Sequence, residues 1–230
     1  MQHEFRTGLR HGVAIGLGYL SVSFAFGITA VAAGMTPFQA LLISMTNVTS
    51  AGQLAGVSLI AAAAPLTEMA LTQFTINLRY ALMSLSLSQK LDGSMGWLQR
   101  LIFAFCNTDE IFAVASSQPG TVGKRYLYGL MVMPWLGWSL GTILGAAAGS
   151  LLPEFVRTAL GIAIYGMFLA IILPPARRSL PVRLAVVLAG GMSIALFFLT
   201  GIGGGYRIIL CGVTVSALLA WLFPGEEAAP

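Results

Sequence analysis

Residues 66–88 read LTEMALTQFTINLRYALMSLSLS and place Arg79 near the middle of an apolar run long enough to cross a membrane. A full charge at bilayer depth costs roughly 2.5–3.5 kcal/mol on insertion scales. The chain must therefore pair this arginine or place it in a wet, protein-lined cavity. Polar side chains also lie on both sides of this helix. They predict that it lies in the middle of the bundle rather than broadly against lipid.

The composition of the whole chain is that of a membrane protein. It is 57% hydrophobic and 9% charged, with a mean hydropathy of +0.86, whereas a soluble domain carries about 25% charged residues. The apolar stretches are 12–34, 38–62, 66–88, 98–116, 126–150, 155–174, 182–200 and 206–223. They predict an all-α integral membrane protein, a polytopic bundle of about seven to eight transmembrane helices. Some helices are candidates for discontinuous or re-entrant ones, and whether segment 98–116 spans or re-enters is left open.

The chain is predicted to form a single transmembrane transporter domain over residues 1–230. A weak internal repeat relates the halves 12–116 and 126–223. In the first half, residues 27–34 begin and end with glycine and are followed by Pro37. In the second half, residues 141–149 also begin and end with glycine and are followed by Pro153.

The basic residues predict the orientation. With eight spans, seven Lys and Arg residues fall on the side of the N-terminus. Four fall on the other side, namely Lys90, Arg100, Arg157 and Arg207. The positive-inside rule then places the N-terminus in the cytoplasm. The excess of positive charge is read as this topological signal rather than as a site for nucleic acid.

Carboxamide and hydroxyl side chains cluster in the second apolar stretch. Thr46, Thr49 and Gln53 follow helical spacing and are predicted to share one helix face, with Asn47 beside them. Half-helices with free ends at this depth bind carboxylates through their N–H groups. Hydrogen bonding between helices is the alternative interpretation.

Asn107-Thr108-Asp109-Glu110 interrupts the fourth apolar stretch. One of the two carboxylates is predicted to pair with Arg79, because unpaired charges at this depth are too costly. The other carboxyl favours its neutral form in a dry site and is a candidate proton carrier. A static ion pair without proton movement remains the alternative.

Several short motifs resemble the AzlC family, the large subunit of branched-chain amino acid exporters. They are Tyr19 with Phe24-Ala-Phe-Gly27, Ala51-Gly-Gln53, Asn77-Leu-Arg-Tyr80 and Thr108-Asp-Glu110. The resemblance implies efflux of leucine, isoleucine and valine, and of methionine in some members. It also implies a partner, a small membrane subunit of the AzlD type. It supplies no established set of binding residues.

These features predict a secondary exporter of small zwitterions in the cytoplasmic (inner) membrane, driven by protons. The candidates for substrate binding or coupling are Arg79, Asp109, Glu110, Asn77, Asn47, Gln53, Asn107 and Tyr80, with Met83, Phe74 or Phe105 for the apolar side chain. No metal or cofactor is predicted. A channel or a carrier for another small zwitterion or anion is the alternative. A membrane enzyme is disfavoured because both histidines, His3 and His11, lie in the N-terminal arm.

Overall fold

The computed structural model describes residues 4–93, 95–149, 151–153, 155, 156, 159, 166, 169 and 172–224. Within these residues the fold is helical, and the sole β-type pairing is an isolated bridge between Leu91 and Val122. The helices with defined bounds are α1 (Phe5–Ala32), α2 (Pro37–Thr46), α3 (Ser50–Ala61), α4 (Leu66–Ser88), α5 (Trp97–Phe105), α6 (Asp109–Ser116), α7 (Lys124–Gly149), α8 (Leu180–Thr200) and α9 (Gly204–Leu222).

Four of these helices, α1, α7, α8 and α9, are long and apolar enough to cross a membrane. The predicted class, an all-α integral membrane protein, is confirmed. The predicted stretch 155–174 lies largely outside the described residues.

Glycines let α1 and α7 pack backbone against backbone. A Cβ on Gly8 would lie 2.0 Å from the carbonyl oxygen of Tyr126, and one on Gly145 would lie 1.9 Å from that of Phe24. Small residues allow such close approach between membrane helices. The numbers of the contacting residues rise together along both helices, so α1 and α7 run parallel. Both helices therefore begin at one end of the bundle, here called the amino end.

α4 runs in the opposite direction to α1. It ends at Ser88, just before the bridge that joins Leu91 to Val122 next to the start of α7. Its 23 residues extend about 34 Å at 1.5 Å per residue. α4 therefore begins at the opposite end of the bundle and finishes at the amino end.

α2 and α3 form a hairpin that enters from the opposite end, so the predicted single span over 38–62 is wrong. Gln53 of α3 donates to Ser44 of α2 at 2.9 Å, which places the two arms side by side. α3 then returns antiparallel to α4, because Gly52 faces Gln73 and Gly56 faces Met69.

α5 and α6 form a second hairpin, which enters from the amino end. Val122 donates its N–H to Lys90 at 2.8 Å, and Asp92 donates its N–H to Val122 at 3.0 Å, so the chain before α5 lies against the chain after α6. The ammonium group of Lys90 also donates to the carbonyl of Ser116, the last residue of α6. Segment 98–116 therefore re-enters rather than spans, which answers the question that the sequence left open.

The two hairpins give the described helices an inverted arrangement. α1 is followed by a hairpin from the opposite end, and α4, which runs the other way, is followed by a hairpin from the amino end. Residues 5–61 and 66–116 are thus related as inverted units, an architecture found in many transporters. The predicted repeat of halves 12–116 and 126–223 stays a prediction.

The position of α4 corrects its expected place in the middle of the bundle. An apolar stripe along one side of the helix is exposed at the surface of the chain, formed by Leu71, Phe74, Leu78, Leu82 and Leu85. The polar side chains are confined to the remaining faces, so the helix has one side for lipid or for a partner.

α8 and α9 form an antiparallel hairpin, as the contact of Thr214 with Met192 shows. Their connection lies at the start of α4, where the carboxylate of Glu68 accepts N–H bonds from Gly205 at 2.8 Å and Tyr206 at 3.3 Å. Glu68 is only 4% exposed, and an anion at the positive N-terminal end of a helix is stabilised. The glycines of residues 201–205 make room for it, because a Cβ on Gly203 would lie 2.5 Å from Glu68 Oε1.

The hairpin of α5 and α6 also corrects the predicted distribution of charge. Lys90 and Arg100 lie at the amino end rather than at the opposite one. The basic residues at the amino end are Arg6, Arg10, Lys90, Arg100, Lys124, Arg125, Arg177, Arg178 and Arg183. Arg207 lies at the opposite end, and Arg157 lies outside the described residues.

Candidate functional site

Each hairpin has a non-helical tip of three residues between its two arms. The first tip is residues 47–49, where Asn47 has φ −151° and Thr49 has φ −127°. The second tip is residues 106–108. Thr49 and Thr108 occupy the N-cap positions of α3 and α6, for which Ser and Thr are favoured. The predicted common helix face of Thr46, Thr49 and Gln53 is wrong, because the helix is broken between the first residue and the other two.

Both tips are hydrogen bonded to α4. At the first tip, Thr49 Oγ1 donates to Asn77 Oδ1 at 2.8 Å. At the second tip, Asn107 Nδ2 donates to Ser84 Oγ at 3.0 Å. Since Asn77 and Ser84 lie two turns apart on α4, this helix brings the tips of two hairpins from opposite ends close together.

Arg79 forms the ion pair that its position predicts. Its Nη1 lies 2.7 Å from Oδ2 of Asp109, so the carboxylate that pairs with it is now identified. The other amino group, Nη2, donates to the hydroxyl of Tyr80 at 3.1 Å, and that hydroxyl donates to Thr49 Oγ1 at 3.2 Å. The two charged side chains are 45% and 46% exposed. The pair therefore faces open space and is within reach of a ligand.

Glu110 has a different partner. Its carboxylate accepts a hydrogen bond from the hydroxyl of Tyr19 on α1. The same hydroxyl lies 2.6 Å from Oγ1 of Thr108. The neighbouring carboxylates thus separate: Asp109 contacts a cation and Glu110 contacts a neutral phenol.

A large cavity of about 640 Å³ brings these groups together. This volume lies within the range of roughly 300–1,000 Å³ that is usual for small-molecule sites. Its charged and polar lining includes Arg79, Tyr80, Asp109, Glu110, Tyr19 and Thr108. Apolar side chains complete the wall, among them Ile15, Val22, Val48, Trp138 and Ile172.

The first residues of two half-helices also line the large cavity. Ser50 and Ala51 begin α3, and Asp109 and Glu110 begin α6. Helix N-termini carry free N–H groups and a partial positive charge. Together with Arg79, they give one part of the cavity a positive character, while Glu110 supplies a carboxylate nearby.

A second, smaller cavity of about 240 Å³ lies at the two tips. Its lining includes Asn47, Thr49, Asn77, Asn107 and Thr108. It shares Val48, Tyr80 and Thr108 with the large cavity, so these three residues form the wall between the two.

The eight predicted candidates thus divide into four groups. Arg79, Asp109 and Glu110 line the large cavity, Asn47, Asn77 and Asn107 line the small one, and Tyr80 lines both. Gln53 is 2% exposed and is held between Ser44 and the indole of Trp138, so its role is to fix the first hairpin to α7.

Two of the three expected apolar contacts are not in the cavity linings. Phe105 lines the small cavity, whereas Phe74 is 66% exposed on the outer stripe of α4 and Met83 lines neither cavity. Sequence reasoning did not single out Trp138, although an indole inside an apolar helix needs a hydrogen-bond acceptor and finds it in Gln53 at 2.8 Å. Among the described residues, no three His, Cys, Asp or Glu side chains form a potential metal site.

Comparison with known proteins gives one family match. The family model described as AzlC protein matches residues 14–152. The inner membrane protein YgaZ of Escherichia coli is 27% identical over 233 residues, which cover 98% of this chain and 93% of that protein. An uncharacterized membrane protein of Archaeoglobus fulgidus is 32% identical over 223 residues, 94% of each chain. No solved structure has a significant match.

Proposed function

Because the chain belongs to the AzlC family, we propose that it is the large subunit of a two-component exporter of branched-chain amino acids. The observation that carries this proposal is the large cavity, in which an ion pair, a second carboxylate and an apolar wall lie together. A leucine-like zwitterion needs these three elements: a cation or N–H groups for its carboxylate, an anion for its ammonium group, and an apolar surface for its side chain.

The substrate carboxylate is assigned to Arg79 and the N-terminus of α3. The guanidinium donates to Asp109 through Nη1 and to Tyr80 through Nη2, and it remains about half exposed. Ser50 and Ala51, which begin α3, line the same cavity. The ammonium group is assigned to Glu110, and the branched side chain to the surface formed by Val22 and Trp138.

Proton coupling is assigned to Glu110. Asp109 already has a cationic partner in Arg79, whereas Glu110 contacts the neutral hydroxyl of Tyr19. A carboxyl without a cationic partner exchanges a proton at a lower electrostatic cost than one in an ion pair.

A small membrane subunit of the AzlD type is the proposed partner. The exposed apolar stripe of α4 and the helix α8, none of whose described side chains is buried, offer surface for it. Lipid is the competing occupant of both surfaces, so co-purification of the two chains is the test. Full transport by the purified large chain alone would contradict the partnership.

The chain is a multi-pass membrane protein, and we place its amino end in the cytoplasm. Nine of its twelve Lys and Arg residues lie at that end, whereas one, Arg207, lies at the opposite end. The positive-inside rule favours this orientation more strongly than the eight-span topology did. A cysteine placed at residue 4 should be labelled by membrane-impermeant thiol reagents only after cells are opened, in a variant whose own cysteines are replaced.

Transport in everted membrane vesicles tests the proposed activity. Vesicles with this chain and its proposed partner should accumulate radiolabelled leucine when a proton gradient, acid inside, is imposed. Saturable counterflow of unlabelled against labelled leucine distinguishes a carrier from a channel. Absence of both uptake and counterflow for leucine, isoleucine, valine and methionine would overturn the proposal.

A further inference from the structure

All three asparagines of the chain line the small cavity. They are Asn47 in the first tip, Asn77 in α4 and Asn107 beside the start of α6. Thr49 and Thr108 line it as well. The lining residues carry no formal charge, so this space is a concentration of neutral oxygen and nitrogen atoms from three separate elements.

Two of the three asparagines at this cavity use their side-chain N–H groups for hydrogen bonds to residues of α4. Asn77 Nδ2 donates to Gln73 Oε1 at 3.1 Å, and Asn107 Nδ2 donates to Ser84 Oγ at 3.0 Å. The oxygen of Asn77 already accepts from Thr49 at 2.8 Å, so the carboxamide oxygen of Asn107 is the one that remains for a ligand.

Asn107 provides an unsatisfied acceptor. The residue is 2% exposed, and its Oδ1 has no hydrogen-bond partner within the described part of the chain. Buried carbonyl oxygens normally accept a hydrogen bond or bind a cation, because leaving one unpaired is costly.

The C-terminal ends of two half-helices lie at this cavity. α2 ends at Thr46 beside the first tip, and α5 ends at Phe105 beside the second. Residues at both ends line the small cavity, among them Asn47 and Phe105. The C-terminus of a helix presents free carbonyl groups and a partial negative charge. The N-caps of α3 and α6, Thr49 and Thr108, also line the small cavity, whereas the first helical residues that follow them line the large one.

We propose that the small cavity binds a small monovalent cation through neutral oxygen atoms, with Asn107 Oδ1 as a ligand. Hard cations prefer oxygen ligands, and a divalent ion would require carboxylates, which this lining lacks. The cation has two possible sources, a free Na⁺ ion or the ammonium group of an amino acid. The second source rests on the proposed function but places the ammonium group of the amino acid in the small cavity rather than at Glu110, whereas the first source is independent of that function.

Binding of radiolabelled Na⁺ to the purified full chain tests the first source. Choline replaces Na⁺ at constant ionic strength, and thermal unfolding is followed in parallel. Na⁺ should bind saturably and raise the unfolding temperature. Asn107→Leu should weaken binding about tenfold or more, and Asn107→Asp, which adds a negative charge, should strengthen it.

Gln118→Leu is the matched control. Gln118 also carries a carboxamide, but its Nε2 donates to the carbonyl of Val114 at the end of α6, away from the cavity. This variant should bind Na⁺ like the unaltered chain. Asn47→Leu, at a half-buried position, replaces Asn107→Leu if that variant does not fold.

The second source is tested in choline buffer with leucine and isocaproate, which has the same carbon skeleton without the amino group. If leucine raises the unfolding temperature and isocaproate does not, the ammonium group is the cation. This effect of leucine should be lost in Asn107→Leu and kept in Gln118→Leu. If neither Na⁺ nor leucine binds in a way that depends on Asn107 or Asn47, the proposal is overturned. Leucine counterflow by the unaltered chain together with its proposed partner, in choline buffer, reports separately on the proposed function.

Discussion

Nη1 of Arg79 lies 2.7 Å from Oδ2 of Asp109, although one residue belongs to a crossing helix and the other begins an arm of a hairpin. Nη2 of the same guanidinium donates to the hydroxyl of Tyr80, so the two terminal amino groups of this arginine have different partners. A lysine has a single ammonium group and lacks the planar pair of amino groups of an arginine. Arg79→Lys should therefore keep the fold and lose leucine counterflow by about tenfold or more.

The partner variant checks that interpretation. Asp109→Asn leaves the cation unpaired and should reduce counterflow at least as much as Arg79→Lys. Exchange of the two residues, Arg79→Asp with Asp109→Arg, keeps opposite charges at the two positions and should allow normal expression. It should give little counterflow, because the substrate carboxylate then meets an anion at position 79. Wild-type counterflow in Arg79→Lys would show that transport does not need both terminal amino groups of the guanidinium.

Glu110→Gln should separate transport from its driving force. The substitution removes the titratable carboxyl and keeps an acceptor for the hydroxyl of Tyr19. Uptake driven by a proton gradient should fall to the level without a gradient, whereas leucine counterflow should persist at a reduced affinity. Tyr19→Phe is the control, since it removes the hydroxyl and leaves the carboxyl in place. Gradient-driven uptake at the normal level in Glu110→Gln would show that this group carries no proton.

Gly145→Ala should destabilise the pair of parallel helices. The new methyl group would lie 1.9 Å from the carbonyl oxygen of Phe24, which belongs to helix backbone and has little freedom to move. Overpacking of this kind costs about 1–3 kcal/mol. The unfolding temperature in detergent should fall clearly. Gly212→Ala, where no atom lies within 4 Å of the added carbon, should leave it unchanged.

Glu68→Ala should loosen the last helical hairpin. The carboxylate accepts N–H bonds from the first turn of α9, and hydrogen bonds to charged groups contribute about 1.5–3 kcal/mol. Glu68→Gln keeps an acceptor and should recover about half of the lost stability. Limited proteolysis at residues 201–203 measures the effect, with cleavage fastest in Glu68→Ala. Equal cleavage in all three proteins would contradict this role.

The charges were easier to predict from sequence than the hairpins. The pairing of Arg79 with one of two carboxylates follows from the cost of isolated charge in lipid, and the structure confirms it. Half-helices were offered for the second apolar stretch, but the break after Thr46 was not located, because apolar residues continue on both sides of it without proline. A local signal was present: Thr108-Asp-Glu combines an N-cap residue with acidic residues in the first turn, which marks the start of a helix. Thr49 is likewise the N-cap residue of α3, but no acidic residue follows it in the first turn.

Other contacts have no local signal at all. Glu68 and Gly205 are 137 positions apart, and Gln53 and Trp138 are 85 apart. Such pairs depend on how the helices are arranged in space. The periodicity of the sequence along one helix carries no information on that arrangement. The place of α4 was misjudged for the same reason, since its polar faces are explained by two hairpin tips rather than by helices on all sides.

The hairpins also determine the order in which this protein assembles in the bilayer. Their arms contain 10, 12, 9 and 8 residues and extend only about 12–18 Å, against a hydrocarbon core of about 30 Å. Both tips leave the regular helical pattern, and irregular backbone is tolerated at this depth only against other protein. Insertion of α1, α4 and α7 must therefore come first, and the hairpins enter afterwards through the polar groups that α4 provides. A chain halted between these steps would keep its crossing helices and expose both tips to proteases on opposite sides of the membrane.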